Sequence, residues 1–179
     1  MTCKQSNQSH EKSVSKSFRG NRPFLAPIVV FFKSELNCFM QASHSILLVE
    51  DDADDRYIMH LAFTELTYTD HIKVFNTGEE ILRYLHNLPD SSLYPALIVL
   101  DYNMPGMNGG EVLMRLKMDD ALRDISIAMY STGMSTMESK LKALGASYCF
   151  EKGHQIGDVY ALAEKLKAIV EGEEVIEKK

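Results

Sequence analysis

A continuous apolar run in the middle of the chain limits the fold more than any other feature. It extends from Ala96 to Leu100 without a polar residue, which is typical of a strand buried on both faces of a parallel sheet. The run ends at Asp101, and a loop with Pro105 leads to a helical pattern that starts near Glu111. Open α/β sheets build their sites where strands end, although a role for Asp101 in capping the next turn fits this stretch equally well.

The composition indicates an ordinary globular protein. The chain has 179 residues, of which 45% are hydrophobic and 25% are charged, and this length predicts one domain with additional material. The net charge of −6 and the lack of a basic stripe argue against direct binding to nucleic acid. No apolar run approaches the ~18 residues of a membrane helix. Three cysteines without a C-x-x-C pair predict neither a disulfide framework nor a zinc site, and they favour the cytoplasm.

The beginning of the chain differs from the rest. Residues 1–42 combine a polar, basic head with a short apolar patch, and we predict a disordered extension there. Residues 43–171 form the predicted domain, and residues 172–179 form a short charged tail.

Three other interpretations of the extension remain open. A signal peptide is disfavoured because the polar head is long and Pro27 interrupts the apolar patch. Translation from Met40 is slightly favoured and would leave residues 1–39 without a role. The third interpretation is a weak helix or strand that docks on the domain.

Strands and helices alternate along the predicted domain. Apolar or alternating segments predict five strands at residues 46–49, 71–75, 96–100, 125–130 and 148–151. Helical spacing predicts five helices, the first with Ile58, Leu61, Ala62 and Leu66 at this spacing and the others at 79–86, 111–117, 135–144 and 156–170. The fold class is therefore α/β: a doubly wound, flavodoxin-like, five-stranded parallel sheet with five helices. We expect the strand order 2-1-3-4-5. The second strand, in which Ile72 and Val74 alternate with other residues, should be less buried, as at an edge of the sheet.

Polar side chains stand where the predicted strands end. Glu50 and Asp51 follow the first strand, Asp101 the third, Ser131 the fourth and Lys152 the fifth. Because the strands are parallel, these ends share one edge of the sheet, and three carboxylates should crowd together at the switch point. Two carboxylates ~4 Å apart repel by roughly 4 kcal/mol at an effective dielectric constant near 20. Such a cluster predicts a bound cation.

Magnesium suits this set of groups. The ligands would be oxygens with room for water, which Mg²⁺ prefers, and the backbone carbonyl of Asn103 can add an uncharged one. The Lys152 ammonium can bridge to Asp101, and the Ser131 hydroxyl can donate to an oxygen held nearby. The remaining acids of the first loop, Asp52, Asp54 and Asp55, are interpreted as acids at a helix N-terminus.

Four segments together resemble the receiver domain of two-component response regulators. They are ILLVEDDADD, LIVLDYNMPGMNGG, MYSTG and GASYCFEKG, and the resemblance extends from Ser45 to about Glu171. The resemblance implies that a phosphohistidine on a sensor histidine kinase or a histidine phosphotransfer protein gives its phosphoryl group to Asp101.

The resemblance also implies roles for the neighbouring residues. Mg²⁺ would be held by Asp51, Asp101 and the Asn103 carbonyl, and by Glu50 through water. Ser131 and Lys152 would each bind a phosphoryl oxygen. The new charge would then repack the fourth helix and the fifth strand.

The chain departs from the family pattern at a few positions. Gly153 replaces the usual proline after Lys152, so we expect a trans bond there. Cys149 occupies the aromatic switch position, Tyr130 is a candidate substitute for it, and Thr132 stands where the family often has a smaller residue. We predict that these last three residues modulate access or switching.

Only about eight residues follow the last predicted helix, which we interpret as a stand-alone receiver that binds an unknown downstream protein. It would be a signalling protein that catalyses only its own phosphotransfer and dephosphorylation, with no membrane partner. A homodimer through the fourth helix, fifth strand and fifth helix is expected by analogy. One alternative is a receiver-like binding module that is never phosphorylated. Another is an aspartyl-phosphate hydrolase, which would need an Asp where Asn103 stands.

Overall fold

The computed structural model describes residues 46–173, a single α/β unit. Its five strands are β1 (Ile46–Val49), β2 (Ile72–Phe75), β3 (Leu97–Asp101), β4 (Ser126–Ser131) and β5 (Tyr148–Glu151). Its five α-helices are α1 (Ala53–Glu65), α2 (Gly78–His86), α3 (Gly109–Met118), α4 (Met134–Ala143) and α5 (Ile156–Glu171). The predicted N-terminal extension, its alternatives and most of the predicted tail lie outside the described residues.

The strands form one parallel sheet in the order β2-β1-β3-β4-β5, which confirms the predicted fold class. β1 pairs with β3 from Ile46 opposite Leu97 to Val49 opposite Leu100. The first and third strands therefore end side by side, and their carboxyl ends form the switch point of the sheet.

Helices cover both faces of the sheet. Alternate residues of β1 and β3 belong to two different hydrophobic clusters, one with α2, α3 and α4 and the other with α1 and α5. Every residue of β1 and β3 is buried. Since burying a Leu, Ile or Val side chain contributes about 1.5–3 kcal/mol, these two strands hold the edge with the polar groups in a fixed position.

The buried side of α1 differs from its apolar spacing, whereas the prediction of a less buried second strand is confirmed. In α1 the buried side chains are Met59, Ala62 and Phe63, whereas Leu61 is 37% exposed. In β2 the buried residue is Phe75, and Val74 is 40% exposed. Both segments carry apolar residues at two competing sets of positions, and the larger aromatic rings, Phe63 and Phe75, take the core.

Helix α3 begins two residues before the predicted start. The Asn108 side chain accepts a hydrogen bond from the Glu111 N–H at 3.0 Å, and the Glu111 carboxylate accepts one from the Asn108 N–H at 3.1 Å. This reciprocal cap satisfies two donors of the first turn. The spacing of the apolar residues alone predicts a later start because it does not include the cap.

Two further expectations can be compared with the described residues. All peptide bonds between residues 46 and 173 are trans, including Lys152–Gly153, as predicted. Within the same range, none of the helices combines the length and the apolar character that crossing a membrane requires.

Candidate functional site

Backbone pairing brings the four predicted chain segments to one edge of the sheet. Glu50 follows β1, and its N–H donates to the Phe75 carbonyl of β2 at 3.1 Å. Asp101 is the last residue of β3. Lys152 follows β5, and its N–H donates to the Ser131 carbonyl of β4 at 3.0 Å. The polar side chains are thus carried by a rigid sheet.

Three acids meet as the sequence predicted. One carboxylate oxygen each from Glu50, Asp51 and Asp101 lies within 4.8 Å of the other two. Glu50 is 2% exposed and Asp101 is 5% exposed. Arg56, in the first turns of α1, holds the loop that carries Glu50 and Asp51. Its Nη1 donates to the carbonyl oxygens of Glu50 at 3.0 Å and of Asp51 at 2.7 Å.

Lys152 is the cation at the centre of the site. Its Nζ donates to Glu50 Oε2 at 2.7 Å, to Asp101 Oδ2 at 2.8 Å and to Asp55 Oδ2 at 2.9 Å. An ammonium has three N–H donors, so each one has a carboxylate partner. The ammonium also lies 5.3 Å from the centroid of the Tyr130 ring, within the range of a cation–π contact.

Burial and hydrogen bonding shift the pKa values of these groups. Loss of water raises the pKa of the Glu50 carboxyl, although the hydrogen bond from Lys152 opposes the shift. Burial alone would lower the pKa of Lys152, but its bonds to Asp101, Glu50 and Asp55 outweigh burial and the pKa is raised. Lys152 is therefore a permanent cation at this site. Burial also raises the pKa of the Tyr130 hydroxyl to about 12, so this residue stays neutral.

The other side of Asp101 is held by neutral groups. Its Oδ1 accepts a hydrogen bond from the Asn103 N–H at 3.0 Å. The Asn103 side chain donates from Nδ2 to Ser131 Oγ at 2.9 Å and makes a longer contact of 3.4 Å with Thr132 Oγ1. Ser131 is completely buried. The predicted switch hydroxyl thus lies beside Asn103.

A close backbone approach completes the loop after β3. The Gly109 N–H donates to the Tyr102 carbonyl at 3.1 Å, and a Cβ added at Gly109 would stand 2.1 Å from the Asp101 carbonyl oxygen. No larger residue fits there without moving the Asp101 backbone. This role of Gly109 was not predicted from the sequence, in which the paired glycines at the start of a helix were the available signal.

The departures from the family pattern have local explanations. A Cβ at Gly153 would lie 2.1 Å from Asp158 Oδ2, and that carboxylate accepts the Gln155 N–H at 3.0 Å in the cap of α5. Glycine at position 153 therefore leaves room for the cap.

Cys149 is half-buried on the α4 side of β5, and burial raises the pKa of its thiol. It contributes to packing, whereas Tyr130 contacts the Lys152 ammonium.

The first turn of α1 contributes two side chains to the site that were not predicted from the sequence. Asp52 caps α1 as predicted, accepting the N–H groups of Asp54 at 2.8 Å and Asp55 at 3.2 Å. Asp55, however, also contacts Lys152, and Arg56 holds the loop carbonyls. The only signal for these two residues in the sequence was their position at the start of a helix whose N-cap residue is recognisable.

The acidic group fits a hard divalent cation. Three carboxylates converge while Lys152 supplies one counter-charge among the buried side chains, and oxygen-only donors of this kind suit Mg²⁺. The repulsion that remains between the carboxylates would be relieved by a bound cation.

A doubly wound sheet that carries this acidic cluster and lysine at its switch point defines a recognisable class of α/β domains. The family model "Response regulator receiver domain" matches residues 46–164. The chain therefore belongs to the response regulator receiver family of two-component signalling.

The chain is also similar to a curated regulatory protein over part of its length. The chain is 35% identical over 92 residues to the probable methanogenesis regulatory protein FilR2 of Methanothrix harundinacea, covering 50% of this chain and 59% of that protein. The chain thus spans only about half the length of the curated relatives it matches.

Solved structures share the fold. The phosphorylated cyanobacterial phytochrome response regulator RcpA superposes with a TM-score of 0.64 at 22% identity, over 75% of this chain and 99% of that one. The Mn²⁺-bound form of the response regulator Rcp1 superposes with a TM-score of 0.61 at 23% identity, over 70% and 92% of the two chains. At these identities the likeness supports the fold alone.

Proposed function

We propose that this receiver domain accepts a phosphoryl group on Asp101 and thereby changes its binding to a downstream protein. The donor is a phosphohistidine of a sensor histidine kinase or a histidine phosphotransfer protein. The domain occupies residues 43–171, between an N-terminal extension at 1–42 and a tail at 172–179. The cytoplasmic location that cysteine usage favours belongs to the same proposal.

A single observation supports this function best. The carboxylate of Asp101 ends a buried strand within 4.8 Å of two other acids and 2.8 Å from an ammonium. A structural salt bridge needs one acid for one cation. An excess of acids around one lysine instead suits a site that exchanges charged ligands.

The reaction is a direct transfer. An Asp101 carboxylate oxygen forms a bond to phosphorus while the phosphorus–nitrogen bond of the phosphohistidine breaks, and the electron pair of that bond returns to the imidazole. Because the transition state is loose, positioning and charge stabilisation do most of the catalytic work. Lys152 keeps a positive charge beside Asp101, where the negatively charged phosphoryl oxygens arrive, and the Asn103 N–H keeps Asp101 oriented.

Asp51, Asp101 and the Asn103 carbonyl would hold Mg²⁺, with Glu50 acting through water. When bound, the ion supplies positive charge for the phosphoryl oxygens. The chain's own part is to present these oxygens on rigid strand ends, and Arg56 fixes the carbonyls of the loop that carries Glu50 and Asp51.

The switch begins at Ser131. A phosphoryl oxygen on Asp101 offers the Ser131 hydroxyl a charged acceptor, which is stronger than its neutral partners. Ser131 ends β4 just before α4, so its movement is passed to α4 and β5. Tyr130, Thr132 and Cys149 lie next to this path and tune access or switching, and the α4–β5–α5 face is the expected surface for a downstream partner or a homodimer.

The proposal is tested with a small-molecule phosphodonor and Mg²⁺. We expect the intact protein to gain the mass of one phosphoryl group, and we expect Asp101→Asn to abolish the gain. Asp54→Asn, at an exposed acid of the same region, is the matched control and should label like the wild type.

Two outcomes would contradict the proposal. The absence of labelling in the wild-type protein would favour a binding module that is never phosphorylated. Labelling that survives in Asp101→Asn would place the acceptor elsewhere. Continuous turnover of a phosphoester would instead revive the hydrolase interpretation.

A further inference from the structure

The three hydrogen bonds of Lys152 are not equivalent. Glu50 and Asp101 belong to the group of acids at the reacting centre, and both are almost completely buried. Asp55 lies outside that group, and its side chain is 45% exposed. The lysine is therefore held by two groups that take part in the proposed reaction and by one that does not.

The position of Asp55 is fixed independently of Lys152. It lies in the first turn of α1, and its N–H donates to the Asp52 cap at 3.2 Å. Arg56, the next residue, is anchored to the carbonyl oxygens of the loop before the helix. Asp55 thus reaches Lys152 from α1, whereas the other oxygen of Asp101 accepts the Asn103 N–H, and the Asn103 side chain in turn contacts Ser131.

Phosphorylation changes the partners of Lys152 on the reacting side. Asp101 loses its full charge when it becomes an acyl phosphate, so the ammonium must transfer this contact to a phosphoryl oxygen. A long, flexible lysine would lose order during this exchange unless another partner kept hold of it. Asp55 keeps the same charge before and after transfer.

We propose that Asp55 is a positioning residue that anchors the Lys152 ammonium while its contact passes from Asp101 to the phosphoryl group. This inference rests on the proposed function. The expected consequence of losing Asp55 is a phosphorylation rate constant that falls about tenfold, the order expected for one charge-assisted hydrogen bond. Because Asp55 lies outside the acids that would hold Mg²⁺, the affinity for the metal should stay unchanged.

The test compares phosphorylation rate constants of four proteins with one small-molecule phosphodonor at saturating Mg²⁺. Asp55→Ala should be slow, and Asp55→Glu should recover most of the wild-type rate because it restores the charged acceptor. Asp54→Ala removes the same charge from the neighbouring position and should match the wild type. Half-saturation by Mg²⁺, followed by thermal shift, should be the same in all four proteins.

The outcomes separate this inference from the proposed function. Normal labelling of the wild type with an equal rate in Asp55→Ala would overturn the inference alone, as would equal slowing by Asp54→Ala. Slow labelling in Asp55→Glu as well would indicate damage to the helix start and also overturn it. An unlabelled wild-type protein would refute the proposed function and this inference together. If Asp55→Ala folds poorly, Asp55→Asn preserves the shape and should still be slow.

Discussion

The two sides of the Asp101 carboxylate differ in how they are held. On one side Oδ2 contacts a lysine that is bound by three carboxylates, with contacts of 2.7–2.9 Å. On the other side Oδ1 contacts a neutral backbone N–H, and the neighbouring Asn103, Ser131 and Thr132 are linked by uncharged contacts of 2.9 and 3.4 Å. One side is built from buried charges and the other from neutral hydrogen bonds.

This difference separates a fixed part of the site from a changeable part. Removing one partner of a buried ion pair leaves an uncompensated charge and costs about 3–5 kcal/mol. A neutral hydrogen bond contributes about 0.5–1.5 kcal/mol, so a phosphoryl oxygen can replace it with little loss. We therefore expect the charged side to hold the site together and the neutral side to move.

Loss of Lys152 should have the largest effect on stability. Lys152→Ala leaves Glu50 and Asp101 without their counter-charge, and we expect the free energy of unfolding in urea to fall by about 3–5 kcal/mol without divalent metal. The matched control is Lys140→Ala, which removes an exposed lysine of α4 and should change stability by less than about 0.5 kcal/mol.

An equally small loss of unfolding free energy in Lys152→Ala and Lys140→Ala would contradict the distinction between the charged side and the neutral side. It would mean that the acids are stabilised without Lys152, by water or by protonation. The charged side would then be no more rigid than the neutral side.

Mg²⁺ should stabilise the protein through the same acids. A ligand that binds only the folded state adds about 2.7 kcal/mol at one hundred times its dissociation constant, so the melting temperature should rise with Mg²⁺ and return when a chelator is added. Asp51→Ala should lose this response, while Asp54→Ala should keep it. A rise that is equal in both variants, or that sodium chloride reproduces at equal ionic strength, would indicate general screening and not a site.

Much of the charged side of the site could be predicted because its residues stand where predicted strands end. The apolar runs that became β1 and β3 are buried on both faces, so their limits are visible in the sequence, and the residues directly after them must lie at one edge. Glu50, Asp101 and Lys152 were placed in this way. The grouping of the three acids and the contact of Lys152 with Asp101 agree with that reasoning.

The contributions of α1 could not be predicted in the same way. Which side of a helix faces the sheet depends on packing, and α1 has two competing apolar faces, so the apolar spacing did not identify Leu61 as exposed. The direction of Asp55 and Arg56 depends on that same rotation. The sequence likewise did not show which residue of β2 is buried: Phe75 packs against Tyr84 with ring centroids 5.1 Å apart.

The smallest effects on stability should come from the neutral side, where two adjacent hydroxyls allow a matched test. Ser131→Ala removes the acceptor of the 2.9 Å bond from Asn103 in a completely buried position, and we expect a loss of about 1 kcal/mol. Thr132→Ala removes only the 3.4 Å contact at an exposed position, so the loss should stay below about 0.5 kcal/mol. After phosphorylation, hydrogen exchange at α4 and β5 should change in the wild type and in Thr132→Ala but not in Ser131→Ala, because only Ser131 carries the proposed link from the phosphoryl group to α4. An unchanged response in Ser131→Ala would show that the neutral side is not the moving part, and the switch would then have to pass through Lys152 and the rigid, charged side.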